Sequence, residues 1–212
     1  MLSVNKILVF LTIGIFSSSL YAVDVSKFDI KGIKLGMSKS EVLKNMPCSS
    51  PKVSKSYIGE KISETHMACK SYSQELHVYL DYGNKVYRVT RYKYMDTEPS
   101  WQKIKKQIFD YYGNTNNIFT KNPKLWNEEV FDMCYGKGCK SKDKNYYLYD
   151  SYGQLLLIYG SIARNGTSTD SRSNIVFILY DSKRADRNNI WQKEHEKLYK
   201  KQQKEKASNI DF

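Results

Sequence analysis

The sequence predicts an α+β fold: helices packed on one face of an antiparallel sheet, in two tandem helix-plus-three-or-four-strand units with a C-terminal helix. Three observations carry this expectation. Two helix-start signals stand about sixty residues apart, near Ser38 and Thr97, the period of a duplicated unit. Each is followed by stretches of alternating, β-branched and aromatic residues, the pattern of half-buried strands. A long polar stretch from Arg184 to about Lys206 carries a single apolar stripe. The expected organisation is a leader at 1–22, units at 23–95 and 96–182, and a basic helix and tail at 183–212.

The leader, MLSVNKILVFLTIGIFSSSLYA, has one lysine, the apolar run Ile7 to Phe16 and small polar residues ending at Ala22. This is the pattern of a secretory signal peptide cut after Ala22, which places the mature chain in the periplasm or outside the cell. An uncleaved anchor is the alternative, but an apolar run of about ten residues is short against the roughly 20 that cross a bilayer. No cysteine adjoins the cut, so lipid attachment is not expected. No later segment is long and apolar enough to span a membrane.

The first helix starts in IKLGMSKSEVLKNMPC. Ser38 and Glu41 have the S-x-x-E spacing of a capping box, in which the serine oxygen takes the amide of the third helical residue and the glutamate reaches back. Met37 and Val42 are placed as a hydrophobic staple. Val42, Leu43 and Met46 form the apolar side, Pro47 stops the helix, and Gly36 allows a sharp bend upstream.

Between Pro51 and Tyr72 the alternation is weak, and one poor strand is expected. In ELHVYLDYGNKVYRVTRY, Leu76, Val78 and Leu80 share one face while His77 and Tyr79 share the other. Asp81 to Asn84 form a turn into a second strand near Lys85. With Tyr87 and Val89 on the core face, Arg88, Thr90 and Tyr92 look outward.

The second helix is expected from Thr97, with Pro99 in its first turn, where a missing amide proton costs nothing. Trp101, Ile104, Ile108 and Tyr111 or Tyr112 recur at helical spacing before Gly113. NEEVFDMC, NYYLYD, GQLLLIYGS and SNIVFILYDS read as strands. The runs Leu155 to Tyr159 and Ile175 to Tyr180 are apolar on both faces, so both faces are expected to be covered, with the last helix as the cover. That helix aligns Trp191, His195, Leu198 and Tyr199. It reads either as a solvated helix docked through a narrow stripe or as an anion-binding helix. The loop Ala163 to Asn174 lacks phosphate-loop spacing, and the final SNIDF is expected to fray.

The four cysteines, Cys48, Cys69, Cys134 and Cys139, become disulfide candidates once export is assumed. Three connectivities exist. CYGKGC favours Cys134 with Cys139 around a Gly136/Gly138 turn, which leaves Cys48 with Cys69. Zinc is the competing reading, but the spacing is wrong and no histidine adjoins the cysteines. The formal charge of +12 favours anionic partners, such as lipid head groups, an acidic protein surface or nucleic acid. The basic residues are nonetheless scattered, as composition alone would place them.

The stretch GIKLGMSKSEVLKNM, Gly32 to Met46, resembles the helix-start signature of a group of small exported bacterial proteins. Outer-membrane assembly lipoproteins of the BamE (SmpA/OmlA) type carry it, as do tandem relatives shaped like the β-lactamase inhibitor protein. The resemblance covers about fifteen residues and concerns a fold. It implies a non-catalytic binding or scaffold protein of the envelope, and it transfers no functional residue. The chain departs from the assembly lipoproteins in length and in lacking a lipidated cysteine.

Signals of catalysis are thin. His66, His77 and His195 fall in three different elements, with no H-E-x-x-H and no second histidine at metal spacing. His195 on an apolar helix side reads as a packing residue. No G-x-S-x-G elbow is present, and Glu128-Glu129 point to opposite faces of a strand. No cofactor and no metal are expected. Eighteen tyrosines suggest recognition instead, because tyrosine combines a large apolar surface with a polar tip. Tyr79, Arg88 and Tyr92 are the candidate protein-binding face. The expected function is an exported binding or scaffold protein, of inhibitor or immunity type, with another envelope or exported protein as partner. The alternatives are an envelope hydrolase with dispersed carboxylates and a basic protein binding anionic lipid or nucleic acid.

Overall fold

The computed structural model describes residues 24–95, 100–115, 118–121, 128–136, 139, 153–163 and 173–208. Eight strands form one antiparallel sheet: β1 (Lys52–Ile58), β2 (Lys61–Lys70), β3 (Gln74–Leu80), β4 (Val86–Met95), β5 (Ile118–Lys121), β6 (Glu128–Gly136), β7 (Gln154–Ala163) and β8 (Ser173–Asp181). Their order is β1-β2-β3-β4-β8-β7-β6-β5, so two four-strand meanders meet tail to tail, each through its last strand, where β4 pairs with β8. Helices α1 (Lys39–Asn45) and α2 (Trp101–Tyr112) precede the two meanders, and α3 (Ser182–Ser208) follows β8 directly.

The capping box forms at α1. The Ser38 amide donates to Glu41 Oε2 at 2.6 Å and the Glu41 amide to Ser38 Oγ at 3.4 Å. Met37 lies against the core and Val42 is fully buried, as the staple requires. Seven residues make two turns, and a helix that short buries only one side; Leu43 therefore points to solvent, contrary to expectation. The upstream bend has Gly36 at φ +80°, a backbone region that glycine enters freely.

Helix α2 starts later than expected, capped by Ser100, whose Oγ accepts from the Lys103 amide at 3.3 Å. Thr97 and Pro99 lie outside the described residues, as does the Trp101 side chain. Ile104 and Ile108 are buried, Tyr112 is half-buried, and Gly113 ends the helix at φ +83°.

Both helices cover the same side of the sheet. Val42, Met46, Ile104 and Ile108 pack with Met67, Leu76, Val78, Val89, Met133, Leu156, Ile158, Ile175 and Leu179 in one core. Each fully buried side chain of this kind contributes about 1.5–3 kcal/mol. Cys48–Cys69 joins the chain just beyond α1 to β2 within this layer, with Cα atoms 5.9 Å apart. The second bridge, Cys134–Cys139, has Cα atoms 5.7 Å apart, and its Cys134 lies on the opposite face. Gly136, at φ +105°, opens the turn between them; Gly138 lies outside the described residues.

Four further expectations need correction. The weak region Pro51–Tyr72 is two strands, and β2 alternates strictly in burial, with polar Ser63 and Thr65 among its buried positions. That substitution of hydroxyls for apolar side chains hid the pattern. Tyr87 sits on the outward face, because a bulge opposite Tyr79/Leu80 shifts the register and passes the core position to Val86. Strand β5 was not foreseen; NYYLYD, expected as a strand, lies outside the described residues, as do residues 164–172 and 209–212.

The fourth correction concerns α3. Both faces of β7 and β8 are buried, as expected. The helix, however, runs over the hairpin tips of the first meander. Asn188 Oδ1 accepts from the Tyr82 amide at 3.0 Å, the Trp191 ring stacks on Tyr82 at 4.7 Å, and Arg184 pairs with the buried Asp81 at 2.8 Å. Asp81 also holds its own turn, accepting from the Gly83 and Lys85 amides. Farther along, Tyr199 lies against Gly59, where an added Cβ would come within 2.8 Å of the ring. Among the described residues, no helix is long and apolar enough to cross a membrane.

Candidate functional site

Strand alternation turns one set of β2–β4 side chains away from α1 and α2. Cross-strand register then decides which of them meet. Tyr79 pairs directly with Arg88, and the guanidinium lies 5.3 Å from the Tyr79 ring centroid, a cation–π contact. Arg88 Nε donates to Thr90 Oγ1 at 3.1 Å, which fixes the side chain along the strand. Tyr92, four residues farther along β4, shares the face but meets the edge of His77, with centroids 5.8 Å apart. The three residues expected to form a binding face therefore share one side of the sheet, and two of them touch.

Between Tyr79 and Tyr92 lies a constellation that the sequence did not suggest. His66 on β2 and His77 on β3 belong to different elements, yet the β2–β3 hairpin places them on a diagonal: His66 opposes Tyr79 and Ala68 opposes His77. His66 Nε2 and His77 Nδ1 are 3.0 Å apart. On the far side of His77, Nε2 lies 3.4 Å from Glu75 Oε2, and Glu75 Oε1 receives Lys70 Nζ at 2.7 Å. On the far side of His66, Nδ1 lies 3.4 Å from Ser54 Oγ on β1. The Tyr79 ring stacks on His66 with centroids 4.6 Å apart. The one signal in the sequence was the short Ser71–Ser73 turn, which fixes the register once β2 is recognised as a strand.

The proton positions follow from chemistry. A carboxylate only accepts, so His77 donates from Nε2 and, in a neutral ring, presents a lone pair at Nδ1. His66 then donates from Nε2 and accepts at Nδ1, so Ser54 donates its hydroxyl. The result is a directed chain from Ser54 through both imidazoles to Glu75. Burial, and secondarily the neighbouring His77, holds the His66 pKa below its ordinary value. The Lys70 hydrogen bond foremost, with His77 adding to it, lowers that of Glu75 and keeps the end of the chain ionised.

The second described carboxylate of this face, Glu64, accepts from the Tyr87 hydroxyl; burial foremost, reinforced by Glu64, pushes the Tyr87 pKa far up. Each carboxylate is thus engaged by a donor. Glu128 and Glu129 belong to β6, but their side chains lie outside the described residues. His195 stacks on Trp191 at 3.9 Å with Nδ1 3.0 Å from the Trp191 carbonyl, a packing role. Among the described residues, no group of three or more His, Cys, Asp or Glu side chains is arranged to hold a metal ion.

No family model, no curated protein and no solved structure matches the chain.

Proposed function

We propose that this chain is an exported binding protein, of inhibitor or immunity type, that holds another envelope or exported protein against the outward face of its first meander without catalysing a reaction. The observation that carries this reading is the band of Tyr79, Arg88, Tyr87 and Tyr92 on a face that neither α1 nor α2 covers. Aromatic and arginine side chains dominate the energetically important centres of protein interfaces: the rings bury much surface at little entropic cost, and the guanidinium presents several donors in a fixed fork. A rigid sheet holds these residues in place before binding. Two disulfides support an oxidising compartment. The tandem order of helix and meander is the order that the resemblance to proteins like the β-lactamase inhibitor protein implies.

The test is capture of envelope and culture-supernatant proteins by the disulfide-bonded chain, compared with a Tyr79→Ala/Arg88→Ala double variant of unchanged melting temperature. The expected result is a stoichiometric partner whose affinity falls at least about 100-fold in the variant, equivalent to two interface positions of about 1.4 kcal/mol each. Equal capture by both proteins would move the interface elsewhere. A partner lost steeply with added salt would favour the anionic-surface reading instead.

A further inference from the structure

The two imidazoles are not stacked face to face. Their planes lie within 1° of each other, and their centroids are 5.2 Å apart while the facing nitrogens are 3.0 Å apart. The centroid separation exceeds the nitrogen separation by only about two ring radii, so the rings are nearly coplanar and their facing nitrogens nearly in line. His66 Nε2 gives its proton to His77 Nδ1 in this contact; with that proton moved to the other ring nitrogen, two lone pairs point at one another along a single axis. A cation placed between them meets two ligands on opposite sides.

We infer that His66 Nε2 and His77 Nδ1 form a binding site for a soft monovalent d¹⁰ cation, Cu(I) or Ag(I), coordinated linearly. Zinc prefers four ligands in a tetrahedron, which two opposed donors do not supply. Soft monovalent ions accept imidazole and are satisfied by two donors. Two metal–nitrogen bonds of about 2 Å need about 4 Å between the nitrogens, an opening of about 1 Å. Both side chains are half-buried on the sheet's outward face, where neither α1 nor α2 packs, so small side-chain rotations supply it.

The outer partners complete the site. Metal-bound histidines usually donate their other ring N–H to a carboxylate or similar acceptor, which fixes the tautomer. His77 already has Glu75 in that role. For His66, the bridging proton moves from Nε2 to Nδ1 and Ser54 turns its hydroxyl to accept it. Between neutral rings this transfer conserves the proton count, so the cation enters with no net release of protons. This site stands independently of the protein-binding reading and shares only its face.

The probe is silver nitrate, titrated into the disulfide-bonded chain in chloride-free buffer near pH 7.5. Calorimetry in two buffers of different ionisation heat and imidazole nitrogen NMR give the readouts. The expected result is one Ag(I) per chain, equal heats in both buffers, and shifts at His66 Nε2 and His77 Nδ1. His66→Gln or His77→Gln should lower affinity by at least about 100-fold, and Glu75→Gln by about tenfold, the range for loss of an outer partner. His195→Gln should leave binding unchanged. Circular dichroism confirms that each variant is folded. Silver uptake that persists in both His66→Gln and His77→Gln, or tight Zn(II) binding at these rings with Ag(I) silent, overturns the inference.

Discussion

The two meanders share a topology, yet they use the same face of the sheet in opposite ways. On β2–β4 that face carries His66, His77, Tyr79 and Arg88, half-exposed and linked by hydrogen bonds and ring contacts. On β7 and β8 the equivalent positions are Leu155, Leu157, Val176 and Ile178, all buried, with Cys139 packed against them through its bridge to Cys134. The boundary follows the central pairing, where Thr90 faces Ile178 and Tyr92 faces Val176. The bridges follow the same division: Cys69 belongs to the helix-covered core and Cys134 to the opposite layer. Any shared ancestry of the halves extends to strand order; the second half buries its outer face, and the first leaves its own half-exposed.

One substitution placed in each half tests this division most directly. Leu157→Gln should cost about 3 kcal/mol, since it removes apolar volume and buries an amide. His77→Gln should change stability by less than about 1 kcal/mol, as for a half-exposed position. Urea unfolding reads both, and equal losses would mean that the first half's face is also structural. Next in size, loss of Cys48–Cys69 in a double serine variant should cost about 3 kcal/mol and loss of Cys134–Cys139 about 2, because the second closes a shorter loop. A larger loss from the short bridge would show that it acts through the packing of Cys139.

Trp191→Ala should cost about 2 kcal/mol, less than a fully buried tryptophan would. Hydrogen exchange should rise in α3 and around Tyr82 but not in β7. A rise in β7 would restore the helix as the cover of the second half.

The smallest effect concerns acidity. The native-state pKa of His66 is lowered, so the unfolded chain takes up the proton more readily and stability falls as pH drops from about 6.5 toward the native value. His77, Glu64 and Lys52 face this ring, the first and last adding to the shift and Glu64 opposing it. In metal-free buffer, His66→Gln should flatten the dependence of melting temperature on pH below about 6.5; an unchanged slope would assign it to another group.

These contrasts also explain what could be read from the chain. Local signals were legible: Ser38 and Glu41 specify a helix start within four residues, and the glycine-flanked pair Cys134 and Cys139 needs no distant partner. Register was not. Strand β2 was obscured because Ser63 and Thr65 occupy core positions, and the bulge beside Leu80 moved Tyr87 to the other face without a glycine to announce it. The face of Tyr79, Arg88 and Tyr92 could be inferred from alternation alone. The meeting of His66 with His77 could not, because it depends on two strands and the turn between them. For α3, the stripe through Trp191 and His195 gave its inner side but not the surface beneath it.

The central pairing sets the order in which the protein can assemble. Val89 and Leu179 are partners about 90 residues apart, whereas the first meander closes through short turns and can zip up as soon as Met95 is available. Contacts between neighbours in sequence form faster than distant ones, so β4 must wait with an unpaired edge until β8 arrives. For a chain synthesised from its N-terminus, that interval spans most of the second meander's synthesis. Folding should therefore show a slow final phase in which β8 docks and α3 latches onto Asp81 and Tyr82. Until then, the edge of β4 is the surface most exposed to unwanted strand addition.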